Sequence, residues 1–110
     1  MKKALLFACI SLVFCFAANA FAQSDILRMR RMADSEFRIA EKAFKEAETE
    51  YGPALTGIPA EEKMVLCKRI RTALYDNRVQ YNFEDLIAQM KYKRQIQKLE
   101  SYQSAANCGN

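Results

Sequence analysis

The 110-residue chain sets 17 Lys and Arg against 13 Asp and Glu, and holds four Cys, three Gly and neither His nor Trp. Without histidine the commonest general base and the commonest metal ligand are gone, and the glycines at 52, 57 and 109 open no phosphate-binding loop. Zinc and nucleotide chemistry are therefore not expected, no cofactor is expected, and no residue is assigned a catalytic or metal role.

The N-terminus reads as an export leader. Lys2-Lys3 precedes an apolar run from Ala4 to Ala18, and Ala20-Phe21-Ala22 gives a small-residue cleavage pattern before the polar Gln23-Ser24-Asp25. The run is barely long enough to span a bilayer, and its flanks favour cleavage over anchoring. Leu6-Phe7-Ala8-Cys9 loosely resembles a lipid-attachment box, although only five apolar residues precede Cys9. The expected division is a signal peptide over 1–22 and a single helical domain over 23–110, placed in the periplasm or secreted. Contact with a membrane is then transient, through the leader alone. Loss of Lys2 and Lys3 leaves 15 basic against 13 acidic residues, so the net charge falls from +4 to about +2.

From Asp25 to Tyr51 the chain has no Gly or Pro, and Ala33, Phe37, Ala40, Phe44, Ala47 and Tyr51 recur with heptad spacing. This predicts a first helix capped by Ser24 or Asp25 and stopped by Gly52-Pro53. Asp34 with Arg38, Glu41 with Lys45 and Lys42 with Glu46 are spaced for ion pairs on its outer face. The carboxylates of Glu41, Glu46, Glu48 and Glu50 offer the one enzymatic option, a paired-acid mechanism, but interleaved with Lys42 and Lys45 they read as a solvated face.

Pro59 followed by Ala60-Glu61-Glu62 reads as the opening of a second helix, with acids favourably placed against its dipole. Its expected apolar stripe is Met64, Cys67, Ile70, Leu74 and Tyr81, widened by Val65, Leu66 and Ala73. No breaker follows until Gly109, so one helix of about 45 residues is conceivable, though long for a compact domain.

The cysteines bear on that choice. Cys9 and Cys15 leave with the leader, while Cys67 and Cys108 remain as an even pair in a compartment where disulfides persist. An unbroken helix would hold them about 60 Å apart at 1.5 Å per residue, so a bridge within one molecule needs a turn. Asp76-Asn77 and Tyr81-Asn82 are the weakest helix formers, and Asn82 before Phe83-Glu84-Asp85 resembles a cap. A third helix would then run from Phe83 to about Tyr102 with Leu86, Ile87, Met90, Ile96 and Leu99 inward. Without the break the cysteines pair between molecules or stay free. The expected fold is all-α: a small three-helix bundle or a helical hairpin with a long second arm, with one disulfide.

Three basic clusters stand out: Arg28, Arg30 and Arg31; Lys68, Arg69 and Arg71; and Lys91, Lys93, Arg94 and Lys98 beside Tyr92 and Tyr102. The third could face an anionic surface, yet a net charge near +2 favours faces balanced by the acids of the first helix. Nucleic acid is not expected as a partner.

The run Glu61-Glu62-Lys63, Leu66, Arg71, Ala73, Leu74 and Arg78 resembles the short secreted helical domains named after the lysozyme inhibitor LprI. Both family arginines match by spacing at Arg71 and Arg78, with Leu74 in the place of an aromatic. Ile70, Val79 and Asn82 depart from the Gln, acid and Cys usual there. The resemblance covers about residues 40–82 and implies an inhibitory role; the candidate partner-binding residues, Arg71, Leu74 and Arg78, are read from the chain. On the chain itself these three share a helix face, where two guanidiniums could fork onto the carboxylates of a partner or onto Glu41 or Glu48 of the first helix. The function expected is that of an exported, non-enzymatic binding protein acting on another exported or envelope protein. The alternative is an adaptor that forms a homodimer, or pairs with another subunit, through the heptad stripe of the first helix.

Overall fold

The computed structural model describes the backbone of residues 2–109 and the side chains of residues 25–109. It contains three helices, α1 (Lys2–Tyr51), α2 (Ala60–Phe83) and α3 (Leu86–Ala105), as the all-α reading expects. The leader with its cleavage pattern at 20–22, and the lipid-attachment alternative at Cys9, lie outside the described side chains. Two compact units are present, Met1–Arg30 and Arg31–Asn110. Among the described residues no helix is long and apolar enough to cross a membrane.

Neither Ser24 nor Asp25 caps α1, because the helix begins upstream and both lie inside it. From Arg31 onward α1 supplies one wall of the second unit. Ala33, Phe37, Ala40 and Phe44 are buried as the heptad spacing requires, and Ala47 and Tyr51 are half-buried against the same core. The methyl groups of Ala33 and Ala40 let the neighbouring backbone approach closely, while the two phenyl rings fill the space between. Leu66, Ile70, Ala73 and Leu74 of α2 and Leu99 of α3 complete this core. Met64 and Val65, expected on the inner stripe of α2, are exposed, and Tyr81 is half-buried.

Gly52 ends α1 in the left-handed region at φ +86°, its N–H donating to the carbonyl of Glu48 at 2.8 Å. Leu55 also takes a positive φ, 51°, a strained value that its burial in the core offsets. Pro59 then serves as the N-cap of α2 rather than its first helical residue.

The break between α2 and α3 falls later than expected. Asn77 lies inside α2, fully buried, and its amide donates to the carbonyls of Ala73 at 2.7 Å and Ala33 at 3.1 Å. Those two bonds, one within α2 and one across to α1, outweigh the weak helix propensity of asparagine. Asn82 is likewise helical and caps nothing. Only Glu84 and Asp85 lie between the helices, and Asp85 caps α3 by accepting from the N–H of Ala88 at 2.9 Å. Gln89 returns to the end of α2, donating to the carbonyl of Tyr81 at 3.0 Å.

α3 ends in a Schellman motif: Asn107 takes φ +53°, its N–H donates to Ser104, and the N–H of Cys108 reaches back to Gln103 at 3.1 Å. This reversal carries Cys108 onto Cys67, and the two are joined with an S–S distance of 2.08 Å and Cα atoms 5.5 Å apart. The disulfide and the Gly52–Ile58 connection thus close one end of the second unit, and the short α2–α3 turn forms the other.

Candidate functional site

The face of α2 bearing Arg71 and Arg78 meets α3 in a shallow groove of about 290 Å³, lined by Arg71, Leu74, Tyr75, Arg78 and Gln103. Leu74 is 2% exposed and belongs to the core, so it forms the floor of the groove and offers a partner little surface. Arg71, Tyr75 and Arg78 stand around it, exposed. Tyr75 escaped the sequence reading, although its position four residues after Arg71 and three before Arg78 puts it on their face.

Neither Glu41 nor Glu48 serves these arginines, contrary to expectation. The Arg78 guanidinium lies 3.7 Å from Glu100 of α3, with both side chains more than half exposed. Such a pair contributes only about 0–1 kcal/mol and is easily exchanged for another carboxylate. Glu41 is committed elsewhere: Tyr102 donates to it at 2.7 Å, and Lys45 and Lys98 lie at 3.7 and 3.9 Å. Burial, and then the bond to Glu41, hold the Tyr102 phenol well above its usual range. Its ring stacks on Phe44 with centroids 4.4 Å apart, locking α3 against α1.

The helix 1 carboxylates are distributed rather than gathered. Glu46 and Glu50 join Glu62 of α2 on the rim of an α1–α2 groove of about 260 Å³, floored by Ala43, Ala47 and Leu66. Tyr51 donates to Glu62 at 2.8 Å, and its phenol is pushed up to about 12 by that bond. Among the described residues no group of His, Cys, Asp and Glu is placed to hold a metal ion.

The third basic cluster is only partly free. Lys91 pairs with Asp34 at 2.8 Å and Lys98 with Glu41, while Lys93 and Arg94 are exposed. Tyr92, expected beside these cations on the surface, is 2% exposed inside the unit, and Lys91 sits over its ring at 5.2 Å. Arg28 pairs with Asp25 at 3.7 Å on the other unit. Lys68 and Arg69 are exposed on α2. Comparison with known proteins finds no matching family model, no matching curated protein and no matching solved structure.

Proposed function

We propose that this chain is an exported, non-enzymatic helical binding protein that uses the Arg71–Tyr75–Arg78 face to engage the carboxylates of another exported or envelope protein. A lysozyme-like envelope enzyme is the sharpest form of the target, since it carries catalytic carboxylates in an open cleft. One observation carries the reading: two guanidiniums flank an exposed phenol on a helix face held rigid by the core and the Cys67–Cys108 staple, and among the described residues no buried carboxylate holds either of them. Arginine forks onto carboxylates in bidentate geometry, and exposed Arg and Tyr are the side chains that most often anchor interfaces. The leader sequence and the disulfide both support an oxidising compartment outside the cytoplasm.

The test is a lysozyme inhibition assay on protein purified after export, comparing wild type with Arg71→Ala and Arg78→Ala. Wild type should inhibit, and each variant should weaken inhibition by about tenfold or more, the scale of an interface hot spot. Absence of inhibition by the wild type removes the lysozyme form of the proposal.

Less supports the adaptor alternative, because Ala33, Phe37, Ala40 and Phe44 are buried within the molecule and Ala47 and Tyr51 are half-buried against its core. Self-association would need another face. Light scattering and non-reducing gel mobility decide it: an internally bridged monomer speaks for the binding protein, a dimer for the adaptor.

A further inference from the structure

The end of the second unit at the α2–α3 turn is apolar outside and polar inside. Its interior holds Asn77, Gln80 and Glu84, all buried, with Gln80 donating to Glu84. Its exterior carries Phe83, Leu86, Ile87 and Met90, which are 67, 82, 85 and 58% exposed. Three of these were expected to face the core, and folding alone gives no reason to leave four large apolar side chains around a two-residue turn in water. The turn is also stiff, held by the Asp85 cap and the Gln89 bond to Tyr81, so the four project from a fixed wedge rather than a loose loop.

At about 100° per residue, Leu86, Ile87, Met90, Lys93 and Arg94 fall within an arc of about 120° on α3, opposite Tyr92 and Leu99. Lys93 and Arg94 thus stand on the apolar face, one to two turns behind its tip. Of the acids at the turn, Glu84 is buried against Gln80, while Asp85 caps α3 and stays exposed, so turn and face together present two cations against one acid.

We propose that this corner docks on an anionic lipid bilayer, with Phe83, Leu86, Ile87 and Met90 entering the headgroup region and Lys93 and Arg94 meeting lipid phosphates. Charge decides the occupant. A symmetric pair of copies joined through this corner would bring the same two cations of each copy together, whereas an anionic membrane is complementary to both. Shape agrees, because a convex apolar tip backed by cations suits an interfacial insertion. This surface is separate from the arginine groove and does not depend on it.

The test uses protein purified after export, its leader state read by mass spectrometry, in flotation with vesicles of phosphatidylglycerol and phosphatidylcholine in equal parts, or of phosphatidylcholine alone. Wild type should float with the anionic vesicles and much less with the neutral ones. The double variants Leu86→Ser/Ile87→Ser and Lys93→Gln/Arg94→Gln, with helix content unchanged by circular dichroism, should each bind about tenfold more weakly. Because the chain has no Trp, Ile87→Trp adds a single probe whose emission should shift to the blue on anionic vesicles. That shift separates insertion of the corner from binding through a retained leader. The proposal is overturned if wild type stays unbound, if neutral vesicles bind it equally, if the double variants bind like wild type, or if the probe does not shift. A dimer dissolved by Leu86→Ser/Ile87→Ser would equally overturn it, marking the corner as an interface between copies.

Discussion

Asn77 shows how a single side chain can contradict its own propensity. Its amide bridges α2 to the carbonyl of Ala33 on α1, while its Oδ1 is buried without a donor. Both carbonyls it touches lie within helices, so truncation costs the bridging bonds and leaves a cavity rather than stranding an acceptor. Asn77→Ala should therefore lose about 1–3 kcal/mol in urea unfolding, and Asn77→Leu, which fills the space and removes the orphaned oxygen, should lose less. A larger loss for leucine would mean that the amide bridge specifies the packing. Nothing in the sequence marks this bridge, because the partner is a backbone carbonyl 44 residues away. A second residue-scale expectation concerns Tyr51. Its bond to Glu62 favours the neutral phenol and raises its folded-state value from 10.0 to about 12. The stabilisation is therefore complete below pH 10 and is lost as pH rises from 10 toward 12. Glu62→Gln should bring the phenolate absorbance transition of Tyr51 back toward 10. An unchanged titration would show that Glu62 is not its cause. Asp76 follows the same sign: burial raises its carboxyl, so stability falls as pH rises through its titration and relief comes on acidification. Asp76→Asn should raise the melting temperature at neutral pH and leave it unchanged in acid.

At the level of elements, the end of α1 and the start of α2 were legible because their punctuation is chemical. Gly52 with Pro53 ends α1 by positive φ and a missing donor, and Pro59 with two acids opens α2. The α2–α3 turn was not, because two cap candidates lie three residues apart and both satisfy the rule for an N-cap. Asp85 is the one that bonds a free N–H, so Asp85→Ala should cost about 0.5–2 kcal/mol in urea unfolding, while Asn82→Ala should be close to neutral. Equal losses would mean that the turn moves between the two positions. The inward face of α3 was misread for a related reason: apolar character stood in for burial. Helical phase carries the better signal. Tyr92, Ile96 and Leu99 lie on one stripe, whereas Leu86, Ile87 and Met90 lie on another, and one helix of this length in a small bundle can bury only one of them. The groove was partly legible by the same phase argument, which puts Arg71 and Arg78 together with Tyr75. The counter-ion of Arg78 was not, since Glu100 belongs to an element whose start the sequence misplaced.

For the whole molecule, the decisive feature is that the staple and the Schellman turn act at the same end. A unit this small buries a limited share of its surface, so a covalent link has a large share of a modest total stability. The bridge spans a sequence separation of 41, for which chain-entropy reasoning gives about 4 kcal/mol of stabilisation. Against a total stability of about 5–15 kcal/mol, that share is enough to lower the melting temperature by many degrees without abolishing the fold. Cys67→Ser/Cys108→Ser should therefore remain helical at room temperature, unfold at lower urea by about that amount, and expose the last turn of α3 to faster hydrogen exchange than the α2–α3 corner. The asymmetry is the diagnostic part. Cys108 is held by the bridge and by one backbone bond to Gln103, whereas the corner is held by the Asp85 cap, the Gln89 bond and the buried amides, none of which involves the disulfide. Uniform acceleration along α3 would mean that the staple stabilises the unit only through the unfolded chain, and an unchanged urea midpoint would mean that the core alone fixes the tail.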